Sequence, residues 1–397
     1  MRWSIGAWAV LVLACGPAVP ADTNGGDATE AVEEASDGLP PLTSGSTAPI
    51  PVTSSAATAE AGEESDTKLD FGGLPTSGLP EDGPCWEGWD VTPLPPAVVL
   101  VVDVSGSMVD VLVDHDADPT TPSTTRWFAL WTALSDDLLD WDLTHDLGLR
   151  TYPSALATDP PDPFACDPDG VTLVPDTMGA ALVLDALPLP GDTTLAGAAP
   201  LRSAFNEALA LLSVVDPGKQ QRIVIITDGA PNCAPDDVPP ASFDQVDAQV
   251  EDSIYLAART GIHTAVVAFD VPDAPQPGGD GEPAVNPRVV LDALALAGGI
   301  GPAALVAADT PSLLDRLSEL RVALASDRLR LPDTSYSDYY VEIDGVPIPY
   351  TFSCDEGDGF TYVETDDWDT LQLCGEAALA LQRAGHAHIW PQCAILE

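Results

Sequence analysis

The run Val98-Val99-Leu100-Val101-Val102-Asp103-Val104-Ser105-Gly106-Ser107-Met108 constrains the fold more than any other segment. Its first five residues are all apolar, so a strand built from them has no face suited to water. Strands of that kind belong to parallel sheets covered by helices on both faces. The strand then delivers Asp103, Ser105 and Ser107 at alternate positions. Ligands of open α/β sheets sit outside the carboxyl ends of the strands, which is where this D-x-S-x-S cluster falls. Carboxylate and hydroxyl oxygens are the donors that hard divalent cations such as Mg²⁺ or Ca²⁺ prefer. A strand-end Ser or Asp can equally cap the helix that follows.

Two distant segments carry compatible chemistry. Gly191-Asp192-Thr193-Thr194-Leu195 runs into a helical stretch, and Arg222-Ile223-Val224-Ile225-Ile226-Thr227-Asp228-Gly229 is a second apolar strand ending in Thr-Asp-Gly. In order, spacing and strand context the chain resembles the von Willebrand factor type A (VWA) family, whose metal-ion-dependent adhesion site combines D-x-S-x-S, a distant Thr and a distant Asp after a strand. The resemblance covers roughly residues 97–325. It implies that Ser105 and Ser107 ligate a cation directly, that Thr193 does so directly or through water, and that Asp103 and Asp228 act largely through bound waters. Thr194 is an alternative to Thr193. Few direct carboxylates leave such a cation electrophilic, able to take an acidic group from a protein or extracellular-matrix partner.

The rest of this region alternates strand and helix signals, as a doubly wound, mostly parallel α/β sheet requires. Strands are expected at Ala97 to Asp103, Leu147 to Tyr152, Val171 to Val174 (an edge strand or a hairpin), Arg222 to Thr227, Thr264 to Phe269 and Ala304 to Ala307. Helices are expected at Arg126 to Trp141, Thr177 to Leu187, from the Gly191 to Leu195 loop to about Ser213, up to Thr260, at Arg288 to Ala297 and at Ser312 to Leu324. In the first helix Trp127, Leu130, Trp131, Leu134, Leu138 and Trp141 recur every three or four residues. From Leu329 onward a small β-rich extension is expected. Asp344-Gly345 between two apolar runs predicts a tight hairpin turn there. Further strands are expected at Phe360 to Glu364, Thr370 to Leu373 and His386 to Trp390, the last placing His386 and His388 on one face.

Met1-Arg2 and the apolar stretch Ile5 to Ala14 read as an export signal, too short to span a bilayer. It ends in Val12-Leu13-Ala14-Cys15, which resembles a bacterial lipobox and implies residues 1–14 are removed and Cys15 lipidated. Gly16, where the lipoprotein sorting rule retains Asp-bearing proteins at the inner membrane, implies an outer-membrane or cell-surface location. Residues 15–84 are rich in Ala, Ser, Thr, Pro and Gly. Between Gly16 and Pro84 they hold 13 acidic residues against Lys68, a composition that cannot bury enough apolar surface to fold. They are expected to form an acidic tether with a reach on the order of 40–50 Å. The VWA-like region is then bounded at 85–327 and the extension at 328–397.

Beyond the tether the chain keeps 50 acidic and 12 basic residues, a net −38. Phosphate backbones and anionic lipid surfaces need basic patches, so nucleic acid is excluded as a partner and membrane contact is confined to the lipid anchor. Six cysteines remain besides Cys15, an even number that reads as disulfides in an exported chain. The expected pairs are Cys166 with Cys233, Cys374 with Cys393 and Cys85 with Cys354. The run Asp114-His115-Asp116-Ala117-Asp118 begins like a calcium loop but has Pro119 and Thr125 where an EF-hand needs Gly and Glu. It reads as a solvated loop. No G-x-S-x-G elbow, H-E-x-x-H helix, Walker loop or G-x-G-x-x-G after a strand is present. Enzymatic activity is therefore not expected. Two functions remain in view, cation-dependent binding of an acidic partner and a scaffold role in an envelope assembly.

Overall fold

The computed structural model describes residues 88–391, except 117, 235–242, 244, 278–282, 333–337 and 364–368. The expected export signal, Cys15, the expected tether, Cys85 and Cys393 lie outside the described residues.

The chain enters with a short strand, β1 (Trp89–Val91), and then forms the apolar strand β2 (Ala97–Asp103). A single turn α1 (Ser107–Asp110) and a minimal hairpin, β3 (Leu112–Val113) with β4 (Thr124–Thr125), lead to α2 (Arg126–Trp141). There follow β5 (Asp146–Tyr152), β6 (Thr172–Asp176), α3 (Gly179–Ala186), α4 (Leu201–Leu212), β7 (Gln221–Thr227) and α5 (Gln249–Arg259). The α/β part closes with β8 (His263–Phe269), α6 (Pro287–Gly298), β9 (Leu305–Ala307) and α7 (Thr310–Ala323). Among the described residues no helix is long and apolar enough to cross a membrane.

The main sheet has the order β6-β5-β2-β7-β8-β9. Its five central and right-hand strands are parallel, and β6 runs antiparallel on the β5 edge. Alternation along β2 shows why the apolar run is continuous. Val98, Leu100 and Val102 enter a core with α2, α3 and α7, whereas Ala97, Val99 and Val101 enter a second core with α4, α5 and α6. From β2 the chain winds one way to β5, and from β7 it winds the other way to β8 and β9. The direction reverses between β2 and β7, so their carboxyl ends frame the crevice in which such sheets bind ligands.

The β-rich part begins at β10 (Arg328–Arg330) and continues through β11 (Tyr339–Ile343), β12 (Val346–Ile348), β13 (Gly359–Tyr362), β14 (Thr370–Cys374), α8 (Glu376–Ala384) and β15 (Ala387–Pro391). Asp344 and Gly345 both take positive φ, 49° and 77°, as the tight turn between β11 and β12 demands. These strands form a four-stranded sheet, β1-β15-β11-β12, and a three-stranded sheet, β10-β14-β13. The two share one apolar core with α8, including Leu329, Val341, Phe360, Leu371, Leu373, Leu381 and Ile389. Because β1 precedes the main sheet yet pairs with β15, the α/β part is an insertion in the β-rich part rather than its N-terminal neighbour.

The two parts join at the amino ends of the main strands. Leu94 N–H donates to the Arg328 carbonyl at 2.8 Å, Gln220 bonds Asp327, and Arg328 Nη1 donates to the Gly218 carbonyl at 3.1 Å. The junction is thus at the opposite end of the sheet from the D-x-S-x-S cluster.

Candidate metal centre

Asp103 is the last residue of β2 and is wholly buried. Its Oδ1 accepts the Ser105 backbone N–H at 2.9 Å, a turn that folds the chain back and aims the next side chains at the strand ends. Its Oδ2 accepts the Thr227 hydroxyl at 2.7 Å, tying β2 to β7. The Ser105 and Ser107 hydroxyl oxygens lie 3.0 Å apart, and Ser107 donates to Asp228 Oδ1 at 2.9 Å. Residues 121 positions apart in sequence are therefore joined in one connected group of oxygens.

Burial, and next to it the charge of Asp228, push the Asp103 carboxyl up to about 7, against opposing hydrogen bonds from Thr227 and Ser105. Two carboxylates at the end of a dry sheet thus repel each other, and a cation between them would relieve that cost. The donors are all oxygen, two hydroxyls and two carboxylates, the set a hard divalent cation takes. On donor chemistry the residues fit the group that the resemblance implies.

The threonine does not join them. Thr193 and Thr194 are both exposed, and Thr194 spends its hydroxyl on Asp192 Oδ1 at 2.7 Å. The loop reaches the site further along, where the Gly197 carbonyl accepts the Gly106 N–H at 3.1 Å. There the side chains are Ala196, Ala198 and Ala199, and none bears a hydroxyl. Helix α4 starts only at Leu201, not close behind Leu195, because Gly197 at φ 101° and Pro200 break the helical path. Ala199 is held by Asn232, whose Oδ1 accepts its N–H at 2.8 Å and whose own N–H donates to the Ala199 carbonyl at 3.1 Å.

Sequence patterns did not point to Arg126. As the first residue of α2, 8% exposed, it donates from Nη1 to Asp228 Oδ2 at 2.9 Å and from Nε to Asp270 Oδ2 at 2.8 Å. The signal available was a lone cation opening an apolar helix in a very acidic chain. Asp270 was also missed, although it follows β8 just as Asp228 follows β7.

Cys166 and Cys233 are disulfide-bonded, with Cα atoms 5.5 Å apart. The bond ties the loop after β5 to the loop after Asp228, and Ala165, Ala198, Cys233 and Phe243 form a small core beside it. Cys354 bonds Cys374, Cα atoms 5.0 Å apart. This corrects both other expected pairs, Cys374 with Cys393 and Cys85 with Cys354. β13 and β14 are antiparallel neighbours, which brings Cys374 opposite Gly359 and close to Cys354.

The Asp114 to Asp118 loop closes on itself. Thr121 Oγ1 donates to Asp116 Oδ1 at 2.7 Å and Thr120 Oγ1 to Asp118 Oδ1 at 2.7 Å. The two C-terminal histidines do not share a strand face as expected, because β15 starts at Ala387. His386 sits in the turn before it, and His388 bonds Asp90 at 2.7 Å. Among the described residues no group of three or more His, Cys, Asp or Glu side chains could hold a metal ion.

No family model matches the sequence, and no curated protein matches it. Among solved structures the chain is similar to BatB, a conserved hypothetical protein from Bacteroides thetaiotaomicron, at 18% identity and TM-score 0.38, over 58% of this chain and 98% of that one. It is similar to the pilus adhesin SpaC from Lactobacillus rhamnosus GG in its open conformation, at 12% identity and TM-score 0.42, over 75% of this chain but only 39% of the adhesin. It is also similar to the SpRpn10 VWA domain, at 13% identity and TM-score 0.33, over 57% of this chain and 95% of that one. These likenesses concern the course of the chain and say nothing about what it binds.

Proposed function

We propose that this is an exported VWA-type protein of the bacterial envelope. The crevice between β2 and β7 binds a divalent cation, Mg²⁺ or Ca²⁺, and through it an acidic group of a protein or matrix partner. The observation that carries this reading is the single oxygen group formed by Asp103, Ser105, Ser107 and Asp228 at the reversal point of the sheet. Ser105 and Ser107 would hold the ion directly, and the two aspartates would hold it largely through bound waters. The Thr193 position adds no ligand, which leaves more of the coordination sphere for water or a partner. Export rests on the N-terminal segment, and a lipid anchor on Cys15 would place the module beyond an extended tether.

One feature of the site favours a second reading. With Asp228 already paired to Arg126, the strand ends are partly neutralised without any ion. The domain would then serve as a scaffold in which a cation only pins loops.

Calorimetric titration of Mg²⁺, Ca²⁺ and Mn²⁺ into the whole chain and its Ser105→Ala variant tests both. Saturable binding that the variant loses supports the cation site, and equal heats in both proteins reject it. If chelator then abolishes capture of a carboxylate-bearing partner while the melting temperature barely moves, the binding reading holds. A fall in melting temperature alone supports the scaffold.

A further inference from the structure

Arg126 is an unusual neighbour for a cation site. The chain beyond the tether has few basic residues, and one of them is buried where an added positive ion is expected. Its guanidinium makes three bonds, to Asp228 Oδ2, to Asp270 Oδ2 and to the Asp270 carbonyl at 3.0 Å. Asp228 therefore divides its oxygens, Oδ1 toward Ser107 and Oδ2 toward Arg126. Once a bound cation displaces the proton that Asp103 partly holds at neutral pH, three carboxylates, Asp103, Asp228 and Asp270, against the Arg126 guanidinium leave a formal charge of −2, which one divalent ion neutralises.

We propose that Arg126 sets the charge selectivity of the site, trimming three carboxylates to the charge of a divalent ion. This rests on the cation reading above. Without Arg126 the cluster would carry −3, hold every cation more tightly and shift its preference toward trivalent ions. Arg126 is then a specificity-determining residue that acts through Asp228 and touches neither ion nor partner. Its fork also fixes Asp228 against rotation, because Nη1 and Nε hold two different carboxylates at once.

Ca²⁺ and Tb³⁺ are of similar size and differ in charge, so together they read this property. Each is titrated into the whole chain, into Arg126→Gln and into Arg126→Lys, and only the component that Ser105→Ala removes is counted. Coulomb energy scales with ion charge, so a gain of about tenfold for Ca²⁺ in Arg126→Gln goes with about thirtyfold for Tb³⁺, an approximately threefold change in their ratio. Arg126→Lys keeps the charge and is expected to keep the wild-type ratio. Asp270→Asn moves the net charge the other way and is expected to weaken both ions, Tb³⁺ more. That variant tests the inference even if Arg126→Gln fails to fold.

Equal or weaker binding of both ions in Arg126→Gln with an unchanged ratio, or no change in Asp270→Asn, overturns the inference while the cation site stands. If no protein shows a component that Ser105→Ala removes, the cation reading fails and the inference with it.

Discussion

Single residues at strand ends carry the chemistry here, and their neighbours decide their state. His145, at the end of the turn after α2, is wholly buried with Nδ1 against the Thr144 hydroxyl at 2.8 Å. Burial pushes its imidazole down from 6.5 to about 4, with Arg321 adding to the effect and the Trp141 carbonyl opposing it. The folded form thus keeps a neutral ring that the unfolded chain protonates near 6.5. The stability it contributes is fully present above that pH and is lost as the pH falls toward 4. At pH 5 the loss is about 2 kcal/mol. Denaturant unfolding at pH 7.5 and pH 5 is expected to show that loss in the wild type and not in His145→Gln. A parallel pH dependence in the two proteins would refute it. The difference between proteins is the quantity to read, since the many surface carboxylates titrate alike in both.

Among the elements, α7 shows how local sequence fixes an end. Asp309 accepts the Ser312 N–H at 2.8 Å, the Ser312 hydroxyl returns to the Asp309 N–H at 3.1 Å, and Pro311 occupies the first turn. This reciprocal cap satisfies amide groups that would otherwise face a desolvated helix end. Asp309→Ala is expected to lower the unfolding free energy by about 1 kcal/mol in a urea titration. A loss near zero would mean that packing of α7 on α2 alone holds this end. The contrast with α4 is instructive. Its start has no side-chain cap, and the bonds that position it run to Asn232 in the loop after β7.

For the whole molecule, the Cys166–Cys233 bond encloses a separation of 67 residues and joins two loops above the candidate site. A cross-link over a loop of that length contributes up to about 4 kcal/mol by restricting the unfolded chain. Replacing both cysteines by Ser is expected to lower the melting temperature and to open the loop after Cys233 to protease first. Cleavage beginning elsewhere would show that the bond does not govern that loop. The site and the junction to the β-rich part lie at opposite ends of the main sheet, so ligands at the crevice need not disturb the junction.

The sheet, its apolar strands and the helices on its faces were legible in the sequence because burial on both faces demands continuous apolar runs and helical periodicity, and both are local patterns. The same holds for Asp103, Ser105, Ser107 and Asp228, which a strand delivers to its own carboxyl end. The Asp344-Gly345 turn follows for a similar reason, since two adjacent positive φ angles select those residues. What the tertiary structure decided depends on pairings between distant segments. β1 pairs with β15 almost three hundred residues away. Cys374 takes Cys354 as its partner because β13 and β14 adjoin. The loop before α4 presents Ala196 to Ala199 instead of Thr193, and Arg126 bridges Asp228 and Asp270. None of these carries a local signature, because a short-range pattern records which face a side chain takes, while its contacts depend on which distant strand or loop that face meets.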